Sequence, residues 1–139
     1  MNVQDEDIRA ILRECRTVAV VGLSPRPERD SHRVARYLQA QGWRIVPVNP
    51  KTQDTILGEP VHASLREAAR HAQIDLVNCF RNSADIPPIA DEAIAIGARA
   101  LWLQLGVQHD EAARRARAAG LRVVQNRCLM IDHARHPNE

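Results

Sequence analysis

The stretch TVAVVGLSPRPERDS, residues 17–31, joins an apolar strand to a glycine and then to a polar loop that enters an amphipathic helix. In α/β proteins this order of elements is typical of phosphate-binding turns, because backbone N–H groups and the helix dipole both favour an anion. The loop departs from the dinucleotide-binding pattern G-x-G-x-x-G, since Ser24 and Pro27 follow Gly22 at the positions of the second and third glycines. The stretch therefore predicts an anion-binding turn that differs from a standard dinucleotide site.

Apolar runs alternate with helical patterns along the rest of the chain. The sequence predicts helices over about residues 4–15, 31–41, 64–71, 84–96, 110–119 and 128–135. It predicts strands over 17–21, 43–48, 61–62, 75–80, 100–105 and 122–125, and a loop over 51–60. Asp30 or Ser31 is expected to cap the second helix, and Asp110 the fifth.

Strands rich in Val, Leu and Ile that alternate with helices indicate a mainly parallel sheet covered by helices on both faces. Right-handed crossovers then predict a doubly wound, Rossmann-like α/β fold with strand order 3-2-1-4-5-6, in a single domain over residues 1–139. Its switch point is expected between Gly22 and Phe80, at the carboxyl ends of the first and fourth predicted strands.

Composition argues against several classes of partner. The net charge is only +2 and just four residues are Phe, Trp or Tyr, so no nucleic-acid partner is predicted. No uninterrupted apolar stretch reaches about 18 residues, so no membrane span is predicted. Cys15, Cys79 and Cys128 are widely spaced, which favours reduced thiols in a cytoplasmic protein and neither a disulfide framework nor a metal site.

Two segments with basic residues indicate which anion the predicted site would bind. Arg26 and Arg29 lie in the first loop and could grip phosphate, the alternative being solvated arginines in a polar turn. Asn49 ends the second strand, with Lys51 close behind, where NAD-binding folds carry a carboxylate for the ribose. An amide and an ammonium favour a phosphorylated ribose, as in coenzyme A (CoA) or NADP, unless Asn49 only ends the strand in a turn.

The third segment, Phe80-Arg81, follows the fourth strand and is expected to face the first loop across the switch point. Phe80 could cover an adenine or the pantetheine arm of CoA, and Arg81 could reach a phosphate. The alternative is a core phenylalanine beside a solvated arginine.

Three segments together resemble a known family. The loop at 21–25, the strand end at 46–50 and the tail Asn126-Arg127-Cys128-Leu129-Met130 look like those of the small bacterial CoA-binding proteins. The Rossmann-like domain of that family is similar to the N-terminal, CoA-binding domain of the succinyl-CoA synthetase alpha subunit. The resemblance extends over about residues 5–135, with the motifs in the same order.

The resemblance implies binding of CoA or an acyl-CoA. The loop from Gly22 to Ser31 would hold the pyrophosphate, residues 49–51 the ribose phosphate, Phe80-Arg81 the adenine side, and Gln104-Leu105-Gly106 would border the pantetheine arm. The predicted ligand-binding residues are Gly22, Leu23, Ser24, Arg26, Arg29, Ser31, Asn49, Pro50, Lys51, Phe80, Arg81 and Gly106.

No catalytic or metal-binding residues are predicted. His32 is the best placed of the six histidines for a general base, but a solvated helix residue is the favoured interpretation. Cys128 and His133 lie five residues apart, so they point in different directions on one helix. The phosphorylated histidine of succinyl-CoA synthetase belongs to a second domain, and no residue here matches it.

Two functions remain after sequence analysis. The favoured one is a non-catalytic module that binds CoA or an acyl-CoA as a carrier, sensor or regulator. The alternative is a small NADP-dependent oxidoreductase that uses the same cleft. The protein partner is left unknown, and the state is expected to be a monomer or a homodimer, the latter supported by exposed Trp102 or Phe80.

Overall fold

A computed structural model describes residues 3–52, 54–137 and 139. In chain order the helices and strands are α1 (Val3–Glu14), β1 (Thr17–Val21), α2 (Asp30–Ala40), β2 (Arg44–Val48), β3 (Thr55–Ile56), β4 (Glu59–Pro60), α3 (Leu65–Ala68), β5 (Leu76–Cys79), α4 (Ile86–Ala95), β6 (Ala100–Leu103), α5 (Asp110–Ala118), β7 (Arg122–Val124) and α6 (Leu129–Arg135), with a 3-10 turn (Ser83–Asp85) before α4.

The described residues form a central sheet of five parallel strands in the order β2-β1-β5-β6-β7. The strands are almost entirely buried, as expected when helices cover both faces. The predicted α/β class and its Rossmann-like, mainly parallel sheet are therefore confirmed. Chain order reverses between β1 and β5, which places the switch point at the carboxyl ends of these two strands.

The strand order differs from 3-2-1-4-5-6 in one detail. Residues 61–62, the predicted third strand, contribute a single parallel bridge between Val48 and His62 beside β2. Residues 55–60, predicted as loop, instead form the antiparallel hairpin β3–β4. Its turn has positive φ at Leu57 (54°) and Gly58 (80°), the combination found in a type I′ two-residue turn. Gln53, within the same predicted loop, lies outside the described residues.

Alternate residues of each strand pack into two apolar cores, one on each face of the sheet. Ala19 and Val21 face one core, which α3, α4 and α5 cover. Val18 and Val20 face the other, which α1, α2 and α6 cover. Trp102 belongs to the second core, where it is fully buried and its Nε1 donates to the Arg127 carbonyl at 2.9 Å. The expectation of an exposed Trp102 at a dimer contact is therefore wrong.

Two predicted helix caps are also wrong. Arg29 is the N-cap of α2 and makes no side-chain cap, because the Ser31 hydroxyl accepts instead from the Ser24 N–H. At α5, Nδ1 of His109 accepts from the Ala112 N–H at 3.1 Å, so the histidine takes the place predicted for Asp110. A neutral imidazole nitrogen can cap a helix as a hydroxyl does, since it offers one lone pair.

No helix in the described part of the chain is both long and apolar enough to cross a membrane.

Candidate functional site

Gly22 joins three strands at the switch point. Its N–H donates to the Val48 carbonyl at 2.9 Å, and the Phe80 N–H donates to the Val21 carbonyl at 2.8 Å. A Cβ built on Gly22, whose φ is +87°, would lie 2.4 Å from the Phe80 carbonyl oxygen. Glycine is therefore required here for the close approach of β5, and its N–H is already bonded within the protein.

The loop after Gly22 is organised by its own hydrogen bonds. The Ser24 N–H donates to the Ser31 hydroxyl at 3.0 Å, and the Ser24 hydroxyl accepts from the Arg26 N–H at 3.1 Å. The side chain of Leu23 is fully buried in the core. These serines shape the loop, and Leu23 can offer a ligand only its backbone.

His32 holds the same loop from the first turn of α2. Its Nδ1 lies 3.0 Å from the Ser24 carbonyl oxygen, and because a carbonyl can only accept, Nδ1 must donate. The residue is 8% exposed, so its interpretation as a solvated helix residue is wrong. Arg26 and Arg29, by contrast, are exposed, and within the described residues neither guanidinium has an ion-pair partner.

Asn49 connects the end of β2 to this loop. Its Nδ2 donates to the Leu23 carbonyl at 3.0 Å, and its Oδ1 accepts from the Lys51 N–H at 2.9 Å. A carboxylate at this position could not donate to Leu23, which gives a structural reason for an amide there. Pro50 and Lys51 are exposed beyond it.

A cleft of about 570 Å³ opens beside Phe80 and Arg81 at the carboxyl ends of β5 and β6. It runs between the start of α2 and the start of α6. Its lining side chains are Asp30, Arg33, Val34, Phe80, Arg81, Asn82, Asp85, Gln104, Leu105, Val107, Cys128, Met130 and Ile131. Two of the predicted binding residues, Phe80 and Arg81, therefore line one cavity, in the size range of small-molecule sites.

Two arginines line the cleft, and each forms an ion pair with an aspartate that lines it too. Arg33 pairs with Asp30 on α2, and Arg81 pairs with Asp85 at 3.3 Å across the 3-10 turn. The side chains of both arginines are partly exposed, so these ion pairs contribute little to stability and can open to meet an anion.

Two large apolar side chains that line the cleft are exposed. Leu105 is 65% exposed and Ile131 is 45% exposed. Among the described residues, these two are the large apolar side chains that are exposed. Exposed apolar groups gathered around a cleft mark a surface that a ligand or partner covers. Gly106 lies next to Leu105, where its N–H donates to Asn126 Oδ1 at 2.7 Å.

Gln104 adds a polar group that no protein atom satisfies. It is 7% exposed, and its Oε1 is buried without a hydrogen-bond partner in the described residues. Such an acceptor carries a free-energy penalty of about 1–3 kcal/mol unless a ligand or water donates to it. Gln104 lines the cleft, although the Oε1 atom itself is buried.

Sequence reasoning missed Arg33, Val34, Met130 and Ile131. The first two directly follow the loop on which the prediction concentrated, and Met130 ends the tail motif at 126–130. The tail reaches the site because α6 packs against α2, where the Tyr37 hydroxyl lies 2.8 Å from Nδ1 of His133. This hydrogen bond also engages His133, so the ring serves to dock α6.

A larger cavity of about 660 Å³ lies at the opposite, amino end of the strands. Asp7 lies within it and pairs with Arg117 at 3.7 Å and Arg122 at 3.4 Å. Open α/β sheets bind ligands beyond the carboxyl ends of the strands, so the smaller cleft is the better candidate despite its volume. No group of three or more potential metal ligands occurs in the described residues.

Comparisons with known proteins extend over nearly the whole chain. A family model described as "CoA binding domain" matches residues 16–134. The uncharacterized protein YneT of Bacillus subtilis is 38% identical over 133 residues, which are 96% of this chain and 96% of YneT. A Thermus thermophilus structure superposes with a TM-score of 0.87 at 38% identity, covering 97% of this chain and 98% of that one. A hypothetical protein from Pyrococcus horikoshii OT3 superposes with the same score and identity, covering 94% and 90%.

Proposed function

This chain belongs to the CoA binding domain family, and we propose that it binds CoA or an acyl-CoA in the cleft at the carboxyl ends of β5 and β6. Membership confirms the resemblance drawn from the three sequence segments.

One observation carries the proposal, namely that a single cleft is lined by two arginines, each paired with an aspartate, and by two exposed apolar side chains. The arginines are Arg33 and Arg81, and the apolar side chains are Leu105 and Ile131. CoA has the same division, since a phosphorylated nucleotide is joined to a long arm of amides and methylene groups. Guanidinium groups bind phosphate by charge-assisted hydrogen bonds, and exposed apolar side chains gain free energy when an arm covers them.

The nucleotide part is assigned to the β1–α2 loop and the end of β2. Arg26 and Arg29 are free to reach the pyrophosphate, and Lys51 is free to reach the 3′-phosphate. Phe80 lies half-buried at the inner end and supports the adenine side. Gly22, Ser24, Ser31 and Asn49 act indirectly instead. The Gly22 N–H and the side chains of the other three make hydrogen bonds that fix the loop presenting these cations.

We propose that the protein catalyses no turnover of CoA and acts as a carrier, sensor or regulator. The two histidines nearest the site are engaged in positioning, His32 on the Ser24 carbonyl and His133 on the Tyr37 hydroxyl. A general base needs a ring nitrogen within reach of a reacting proton, and these contacts give both rings a structural role.

The decisive experiment is a thermal-shift panel of CoA, acetyl-CoA, dephospho-CoA, NAD and NADP. A ligand at about 100 times its dissociation constant adds about 2.7 kcal/mol to the free energy of unfolding. We expect CoA and acetyl-CoA to raise the Tm most, and dephospho-CoA less because it lacks the group assigned to Lys51. Stabilisation by NADP and not by CoA would overturn the proposal in favour of a nicotinamide enzyme. Equal shifts with dephospho-CoA and CoA would remove Lys51 from the site.

A further inference from the structure

The three cysteines of the chain differ in access. Cys15 and Cys79 are buried, and burial raises the pKa of each thiol to about 12, so neither forms a thiolate at neutral pH. Cys128 is half-buried and lines the cleft proposed to hold CoA. It also lines a neighbouring pocket of about 180 Å³, together with Leu105 and Ile131. The thiol of Cys128 is thus reachable from the cleft, whereas Cys79 is fully buried and Cys15, only 1% exposed, lies beside the other cavity.

The backbone around Cys128 is held firmly while its side chain is left free. The Cys128 carbonyl accepts from the Asp132 N–H at 3.0 Å, and the preceding Arg127 carbonyl accepts from Trp102 Nε1. Nε of Arg127 donates to the Asp132 carboxylate at 3.1 Å, and this carboxylate is buried. Cys128 is the N-cap residue of α6, yet its side chain makes no capping hydrogen bond. A fixed backbone with an uncommitted thiol is suited to reaction with a bound molecule.

Gln104 is a second polar residue that lines the same cleft. Its buried, unpartnered Oε1 requires an N–H or O–H donor, and Gln104 lines the same cavity as Cys128. The pantetheine arm of CoA carries two secondary amides, whose N–H groups are such donors, and it ends in a thiol. Gln104 and Cys128 thus line one cavity, which is proposed to hold a ligand that presents amides and a thiol in sequence.

Resting on the proposed binding of CoA, we propose that Cys128 exchanges with the disulfide form of CoA and holds one CoA in the cleft as a mixed disulfide. The Cys128 thiolate attacks one sulfur of the symmetric CoA disulfide, and the new S–S bond forms as the ligand's own S–S bond breaks. The second CoA leaves as a thiolate and takes up a proton, which replaces the proton that Cys128 released to water.

This exchange makes the protein a sensor of the oxidation state of CoA. Reduced CoA binds and leaves freely, whereas CoA disulfide leaves the protein carrying a covalently held CoA. A thiol reductant reverses the bond by the same exchange chemistry. Covalent attachment holds the arm against Leu105 and Ile131, so the two redox states present different surfaces beside α6.

Intact-protein mass spectrometry tests the exchange. Reduced protein is incubated with CoA disulfide, and in parallel with an equal concentration of glutathione disulfide, which lacks the nucleotide. We expect addition of one CoA, mapped to Cys128 by peptide analysis of the unaltered protein, at least about tenfold faster than glutathione addition, because binding raises the local concentration of the disulfide. Excess desulfo-CoA should slow the reaction, and Cys128→Ser should abolish it.

The contradicting results are distinct from failure of the proposed function. Equal rates for the two disulfides, or a CoA adduct mapped elsewhere, would show that Cys128 has no special relation to the cleft. Calorimetry with reduced CoA under a phosphine reductant measures binding without exchange. Binding there without a Cys128 adduct overturns the inference and leaves the proposed function intact, whereas no binding there overturns both. Mapping on the unaltered protein keeps the result valid even if Cys128→Ser does not fold.

Discussion

Gln104 and Asn78 both carry buried side-chain amides with unpartnered atoms, but only Gln104 lines the cleft. Asn78 lies on the central strand β5, beside Val20 and Trp102 of the neighbouring strands. A buried polar atom without a partner lowers the free energy of unfolding. Beside a cleft such an atom indicates a possible ligand contact, whereas in the core it only costs stability. The two amides form a natural pair for separating binding from stability.

We expect Gln104→Met to stabilise the free protein by about 1 kcal/mol and to weaken CoA binding about fivefold, since the penalty disappears together with the acceptor. The matched change, Asn78→Leu, should stabilise to a similar degree and leave CoA affinity within about twofold. Urea unfolding and calorimetry measure the two quantities. Unchanged affinity in Gln104→Met would remove the amide from the binding site.

At the scale of elements, the junction of β1, β2 and β5 depends on one glycine. Gly22 combines a φ of +87° with a clash distance of 2.4 Å to the Phe80 carbonyl oxygen. Gly97 has a similar φ of +75°, yet a Cβ there would meet nothing within 4 Å. The pair therefore separates backbone strain from close packing.

Gly97→Ala should destabilise the protein by about 1–2 kcal/mol, the effect of a left-handed alanine. Gly22→Ala should destabilise it by about 2 kcal/mol more, because β5 must also move away from β1. Thermal unfolding of both variants checks the difference. Equal losses would mean that the junction tolerates a Cβ and that glycine is needed at position 22 for its conformation alone.

The docking of α6 on α2 is a second element-scale feature, and it is sensitive to pH. Burial lowers the pKa of His133 below its ordinary value of 6.5, and the nearby charge of Arg16 lowers it further. The unfolded chain therefore binds this proton more readily than the folded one. The resulting loss of stability begins as the pH falls through about 6.5 and is complete below the folded-state pKa.

His133→Asn, which keeps a polar atom near the Tyr37 hydroxyl, should show a smaller loss of unfolding free energy than the native protein between about pH 7.5 and about pH 5.5. The other five histidines are present in both proteins, so the difference between the two curves reports on His133. Parallel curves would show that protonation of His133 does not disturb the docking of α6.

At the scale of the whole molecule, exposed arginines lie at both ends of the sheet, and we expect only those at the carboxyl ends of the strands to bind the ligand. Arg26 and Arg29 lie beyond the carboxyl end of β1, whereas Arg44 and Arg99 lie at the amino ends of β2 and β6. All four are exposed, and none has a side-chain ion pair within the described ranges. Equal changes in net charge can thus be made at either end.

We expect the double variant Arg26→Ala/Arg29→Ala to lose CoA affinity by about tenfold or more, which is about 1.4 kcal/mol or more. The double variant Arg44→Ala/Arg99→Ala should stay within about twofold, because a distant charge is screened by salt. Calorimetry at physiological ionic strength compares them. Equal losses of CoA affinity in the two double variants would mean that only net charge matters. Unchanged affinity in Arg26→Ala/Arg29→Ala would mean that both arginines are solvated and do not contact the ligand.

The sequence predicted the local features well. Alternating apolar runs and helical spacing identified the strands of the parallel sheet and the helices between them, because each periodicity reflects burial on one or two faces of a single element. The hairpin β3–β4 was missed, since its two-residue strands are too short for a period to show. The caps of α2 and α5 were missed because serine and histidine side chains can form hydrogen bonds with several nearby backbone groups.

The sequence by itself determined the α/β class, the turn at Gly22 and the cationic loop after it, because these follow from contacts between near neighbours in the chain. Only the tertiary structure decided that the N–H of Gly22 is used by β2, that Trp102 is buried, and that the tail lines the cleft. Tyr37 and His133, which lie 96 positions apart, join α2 to α6. No local pattern encodes such a contact, since it arises only when the sheet brings distant helices onto the same face.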